Sequence, residues 1–167
     1  MSHVSLTPLN PADFAAVGAL ARTIWLAHYT SIITTEQIEY MLEGRFTPDN
    51  LQRYIDATDR WLYVLRLDAE PIGYCSCSLT TTPREMKLEQ LYVLPALHGQ
   101  GHGRRMLDAV VAKALELHCD TLMLQVNKRN TNAIDVYRRT GFTVRSEVVI
   151  DIGRGYVMDD FIMERRI

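Results

Sequence analysis

The chain has 167 residues, 47% of them hydrophobic, enough for one well-cored domain and short for two. Its formal charge of −2 gives no basis for nucleic acid or an anionic membrane surface as partner, and no apolar run approaches a membrane span. Three cysteines without a CxxC pair, and a first segment lacking the regions of a secretory signal, point to a cytoplasmic protein with reduced thiols, organised as one domain over residues 1–167.

Asn10-Pro11 has the form of an N-cap followed by proline at the first helical position. Phe14, Val17, Ala21, Ile24 and His28 recur at helical spacing and predict a first helix to about Tyr29. Thr34 and Gln37 have capping-box spacing ahead of Ile38, Met41 and Leu42, a short second helix. Thr47-Pro48-Asp49 starts a third, carrying Leu51, Tyr54 and Ile55. The period then switches to two. Trp61 to Leu67 and Ile72 to Thr80 read as strands joined by a hairpin at Asp68-Ala69-Glu70-Pro71, and Met86 to Val93 as the next strand, stopped by Pro95.

Met106, Leu107, Val110, Val111, Ala114 and Leu115 predict one apolar stripe of a helix whose other face carries Arg105, Asp108, Lys113 and Glu116. Thr121 to Val126, uncharged, reads as a buried central strand. Asn130 or Thr131 caps a helix through Arg139, with Gly141 as its C′ residue. Phe142 to Ile150 and Tyr156 to Met163 form a closing strand pair across Asp151 to Gly155. The order implies an α/β fold, a mixed sheet with helices on both faces.

The centre of the chain is His98-Gly99-Gln100-Gly101-His102-Gly103-Arg104, set between a strand and a helix. Such a turn converges backbone N–H groups, unobstructed by Cβ atoms, at the positive end of a helix dipole, an arrangement suited to phosphate. A merely tight connection is the alternative reading of the glycines. The spacing fits neither Gly-x4-Gly-Lys-Ser/Thr nor Gly-x-Gly-x-x-Gly.

The segment from Leu91 to Phe142 resembles the GCN5-related N-acetyltransferase (GNAT) family. That family's pyrophosphate loop, Arg/Gln-x-x-Gly-x-Gly/Ala, is matched by His98-Gly99-Gln100-Gly101-His102-Gly103, with His98 where Gln or Arg is usual. Asn130, Ala133, Tyr137 and Gly141-Phe142 match its second motif, and Leu91-Tyr92-Val93-Leu94-Pro95 is also typical of it. The resemblance implies a mostly antiparallel, twisted central sheet with a splayed parallel strand pair, and acetyl-CoA as co-substrate without a metal. It implies that His98, Gly99, Gln100, Gly101, His102, Gly103 and Arg104 meet the pyrophosphate. Leu91, Tyr92 and Val93 would run beside the pantetheine arm, and Asn130 and Tyr137 would contact the cofactor.

The activity so implied is transfer of an acetyl group to a primary amine of a small molecule, polyamine-like or amino-acid-like, or of a peptide, by direct attack in a ternary complex. Tyr137 is the expected acid, since a phenol with a reference pKa of about 10 stays protonated and can donate to a departing thiolate. A base is needed because an alkylammonium is only about 0.1% neutral at pH 7.4. Glu89, a carboxylate between Leu88 and Leu91 on a central strand, is the leading choice, with a salt bridge as its alternative role; His28 is the other base considered. Trp25, His28, Tyr29 and Tyr156 suggest an aromatic, partly polar acceptor pocket, with core packing explaining Trp25 equally well. Asp159 and Asp160 suit attraction of a polyamine or a lysine, or form a solvated pair on an edge strand. His98 and His102 with Cys75 or Cys77 lack zinc spacing, so no metal is expected. A homodimer is compatible with the resemblance. The alternatives are a non-catalytic acyl-CoA-binding regulatory module on the same fold, and a nucleotide-binding protein.

Overall fold

A computed structural model describes all residues, Met1–Ile167. Its strands are β1 (Val4–Pro8), β2 (Arg60–Leu67), β3 (Glu70–Leu79), β4 (Glu85–Val93), β5 (Thr121–Asn127), β6 (Thr143–Gly153) and β7 (Tyr156–Arg166). Its α-helices are α1 (Phe14–His28), α2 (Thr35–Glu43), α3 (Pro48–Gln52), α4 (His102–Glu116) and α5 (Thr131–Arg139). All seven strands share one sheet in the order β1-β2-β3-β4-β5-β7-β6. Only β4 and β5 run parallel; every other pairing is antiparallel. This is the mixed, mostly antiparallel sheet expected from the sequence.

Each face of the sheet has its own apolar cluster. On one, Met106, Leu107, Val110 and Ala114 of α4 pack on Leu88, Leu122, Leu124 and Met163. On the other, Val17, Ile24 and Trp25 of α1, with Ile38 of α2 and Leu51 of α3, cover Leu62, Val64 and Tyr74. Leu115 is 51% exposed although it was assigned to the stripe of α4. At 100° per residue the buried positions 106, 107, 110 and 114 fall within one arc, and Leu115 lies beyond it.

Several boundaries differ from the sequence reading. β1 was not predicted: it is a short outer strand that pairs with β2 from Val4↔Leu67 to Pro8↔Tyr63. The helix expected from Pro11 begins with a 3-10 turn, Pro11–Asp13, and becomes α-helical at Phe14. Asn10 caps that turn as expected, accepting from the Ala12 N–H at 3.0 Å. α3 ends at Gln52, so Tyr54 and Ile55 lie beyond it. β6 and β7 run further than predicted, and β7 is an interior strand between β5 and β6.

The hairpin between β2 and β3 turns on two residues, Asp68 and Ala69, with φ of 49° and 74°. A two-residue turn with both φ positive matches the right-handed twist of the flanking strands, but an alanine there meets its own carbonyl through Cβ. Replacing Ala69 with Gly is expected to stabilise the fold by about 1 kcal/mol. A urea denaturation midpoint that does not rise would show that the turn carries no such strain.

Candidate active site

The β4–β5 ladder runs from Glu85↔Thr121 to Leu88↔Leu124 and stops there, although β4 continues to Val93 and β5 to Asn127. β4 stays attached on its other side, pairing with β3 as far as Gly73↔Val93. Its register slips between Ser76 and Cys77, which oppose Gln90 and Leu88, leaving Glu89 as the extra residue of a bulge. The two parallel strands therefore part. A cavity of about 500 Å³ opens between them, lined by residues 87 to 93 of β4 and 124 to 127 of β5.

The glycine turn lies at this cavity. His98, Gly99, Gly101, His102, Gly103 and Arg104 line it, whereas the Gln100 side chain does not. Gly99 and Gly101 hold φ of 78° and 82°, where a side chain would be strained, and the space beside both Cα atoms is open. No side chain caps α4. The six amides from Gly99 to Arg104 donate to no protein acceptor, and Arg105 is the first to close a helical bond, to Gly101. These free donors at a helix N-terminus suit an oxyanion. The His98 imidazole Nε2 lies 2.9 Å from the Val93 carbonyl, tying the turn to the end of β4.

α5 forms the opposite wall. Asn130 is its N-cap, its side chain accepting from the Ala133 N–H at 3.4 Å, and Asn130 and Tyr137 both line the cavity. Thr131, the other cap considered, is the first helical residue. Gly141, at φ of 98°, ends the helix as expected. Tyr137 packs edge-on against Phe142 at 5.5 Å. Its hydroxyl takes no hydrogen bond from the protein, and burial pushes its pKa up to about 12.

α1 supplies the third wall. Trp25 is almost fully buried, donating through Nε1 to the Tyr74 hydroxyl at 2.9 Å, and packs on Tyr29 and Tyr92. The Tyr29 and Tyr92 hydroxyls are 2.6 Å apart. Burial pushes Tyr29 up to about 12, opposed by that hydrogen bond. His28 lines the cavity, its pKa lowered by burial and then by His98, against a hydrogen bond that it donates to Asn130. It is therefore neutral at pH 7. Arg45 also borders the cavity, its guanidinium 5.4 Å from the Trp25 ring centre.

Two of the expected site residues are placed differently from the sequence reading. Glu89 is exposed, because the bulge turns it out of the alternating pattern; it accepts from Ser78 Oγ at 2.8 Å and pairs with Lys87 at 3.4 Å, although it still borders the cavity. Tyr156 lies outside the cavity lining, stacked on Tyr40 of α2 at 5.4 Å. The acidic pair also divides. Asp159 is exposed and bridged to Lys128 at 2.9 Å, while Asp160 is 1% exposed and lines the cavity, since β7 is not an edge strand. Gln90, Lys87 and Gln125 also line the cavity; they are polar residues that no motif marks. No cluster of three or more His, Cys, Asp or Glu has metal-holding geometry.

With this geometry in view, comparisons with known proteins agree. The model of the acetyltransferase (GNAT) family matches residues 25–142, well over half the chain. The chain belongs to this family and is an acetyl-CoA-dependent N-acetyltransferase. An uncharacterized N-acetyltransferase of Mycobacterium tuberculosis is 26% identical over 155 residues, spanning 93% of this chain and 96% of the relative. Thialysine N-epsilon-acetyltransferase of Sus scrofa is 33% identical over 86 residues, 47% of this chain and 51% of that protein. The crystal structure of PaiA N-acetyltransferase from Thermoplasma acidophilum in complex with coenzyme A has the same fold, with a TM-score of 0.84 at 20% identity over 99% of each chain.

Asp160 has a measurable signature in stability. Burial, reinforced by Asp159 and opposed by Lys87, pushes its carboxyl up to about 6. The folded protein thus holds this proton more tightly than the unfolded chain, whose carboxyl titrates near 3.9. The group favours the native state below about pH 4, and that advantage is lost as pH rises through 6, by about 3 kcal/mol. Asp160→Asn is expected to be about 1 to 3 kcal/mol more stable than wild type at pH 7.5, the two converging toward pH 4. Urea unfolding across that range checks it, and a gain independent of pH would contradict the raised pKa.

Proposed function

We propose that residues 1–167 form one catalytic domain that acetylates a primary amine of a small molecule or peptide by direct attack within a ternary complex. The observation that carries this reading is the run of six free amides, Gly99 to Arg104, at the mouth of the gap between β4 and β5. Those amides would hold the pyrophosphate of acetyl-CoA. The backbone edge of β4 from Leu91 to Val93, left without a strand partner by the splay, would pair with the pantetheine amides as an added strand does. Asn130 borders the same gap and would steady that arm.

Acetyl-CoA supplies an activated thioester and a thiolate leaving group. Tyr137 would protonate the departing sulfur through its hydroxyl: it is free of protein partners, and its raised pKa keeps it protonated at neutral pH. His28 is the proton acceptor this reading favours, because it is neutral and faces the cavity. Glu89, whose carboxylate accepts from Ser78 Oγ and pairs with Lys87, borders the cavity where it would draw a cationic amine inward. Trp25 and Tyr29 would form the apolar wall beside the acceptor. The amine-directed name of the thialysine acetyltransferase, similar to half of this chain, is in keeping with an alkylamine acceptor.

Calorimetric titration of the purified protein tests the cofactor. Acetyl-CoA and CoA are expected to bind at micromolar concentration, with ATP far weaker. Gly101→Val, which strains the turn and fills its open side, is expected to abolish that binding. Unaltered affinity in this variant would remove the turn from the cofactor site. In steady-state assays of thiol release, Tyr137→Phe is expected to lower kcat by about 10- to 1000-fold with little change in acetyl-CoA affinity. Equal turnover of variant and wild type would take Tyr137 out of the mechanism and favour a non-catalytic acyl-CoA-binding module.

A further inference from the structure

Two side-chain oxygens in the molecule are sealed from solvent and meet no hydrogen-bond donor: Oδ1 of Asp160 and Oε1 of Gln90. Both residues line the cavity beside the splayed strands, and they reach it from different parts of the sheet. Asp160 sits on β7 opposite Asn127, at the end of β5. Gln90 sits on β4 opposite Ser76, directly after the bulge. Its amide nitrogen donates to Ser76 Oγ at 3.3 Å, which leaves the carbonyl oxygen as the free end.

No cation of the protein is committed to Asp160. Lys87, the nearest positive influence on it, spends its ammonium on Gln125 Oε1 at 3.1 Å and on Glu89 at 3.4 Å. Lys128 is held by Asp159 and Glu147, and His28 is neutral. A carboxylate buried without a partner is costly, so Asp160 Oδ1 calls for a donor that the protein itself does not supply. A carboxylate and an amide carbonyl are both pure acceptors, so the ligand group must bring several N–H donors and a positive charge.

We propose that Asp160 and Gln90 form a subsite for a second, non-reacting ammonium group of the acceptor, so that the substrates are diamines or ω-amino compounds rather than simple alkylamines. The proposal rests on reading the cavity as the site of acetyl transfer. The reacting nitrogen is not the group held there. It must be neutral when it attacks, and an anion gripping it would stabilise the protonated, unreactive form. A second ammonium keeps its charge throughout, so its pairing with Asp160 acts on which amine is chosen and where it is held.

The test titrates the full chain, saturated with CoA and also free of it, with 1,3-diaminopropane, 1,4-diaminobutane, 1,5-diaminopentane and n-butylamine. Steady-state thiol release is then followed with acetyl-CoA and the same amines. At least one diamine is expected to bind about 10- to 100-fold more tightly than butylamine, with a matching advantage in kcat/KM. Asp160→Asn, which keeps the shape and removes the charge, is expected to collapse that ratio toward one, chiefly through KM. Wild type that does not distinguish diamines from butylamine overturns the subsite. So does a variant that loses activity equally toward both, which would mark Asp160 as structural or as a proton carrier. Failure of CoA itself to bind would instead overturn the acetyl-transfer reading, while the titration of the free chain still reads the subsite.

Discussion

The architecture depends on β4 having a partner on one side only along its second half. Strand pairing with β3 continues to Val93, so β4 leaves β5 after Leu88 without fraying. A strand released on both sides would expose two rows of unpaired peptide groups and would not hold a fixed edge. Held by β3, it presents one rigid, unpaired backbone edge to a cavity, and that edge leads through Pro95–Leu97 into the glycine turn and α4. The contact between His98 and the Val93 carbonyl fixes the turn to the strand that feeds it. The free strand edge and the gap beside it are thus consequences of one parting of two strands, and the free amides and Tyr137 border that gap.

The two sides of the cavity contrast in charge and polarity. α4 and α5 bring glycines, free amides and a lone phenol, an environment for anions and for a leaving group. The face covered by α1 brings aromatic rings whose polar atoms are already paired, the Tyr29 hydroxyl with that of Tyr92 and the Trp25 N–H with the Tyr74 hydroxyl. These pairs satisfy buried polar atoms and leave a wall that is apolar in effect. Beyond it lie Glu89, Gln90 and Asp160, with Lys87 and Arg45 on the same side.

Much of the fold was legible because it is local. Helix caps at Asn10, Thr34 and Thr47, the period-two runs of β2 to β4 and the stop at Gly141 all follow from side chains acting on neighbouring backbone. The glycine turn was legible for the same reason, once the Asn130, Ala133, Tyr137 and Gly141-Phe142 pattern at its distance weighed against a merely tight connection. β1 was not visible. Five residues of mixed polarity at a sheet edge gain their strand identity only from pairing with β2, more than fifty residues on. The Asp68-Ala69 turn was placed but drawn too long, because nothing in alanine signals a positive φ.

The site divides along the same line. The sequence by itself determined the family, the glycine turn and the second motif with Tyr137, since each is a short pattern whose chemistry is carried by adjacent backbone and side chains. Only the tertiary structure decided the fate of the carboxylates. A single bulge turned Glu89 outward, and the insertion of β7 between β5 and β6 buried Asp160 while its neighbour Asp159 stayed in solvent. Burial and partnership are properties of what packs against a residue, and for these acids the packing comes from distant strands that local pattern does not encode.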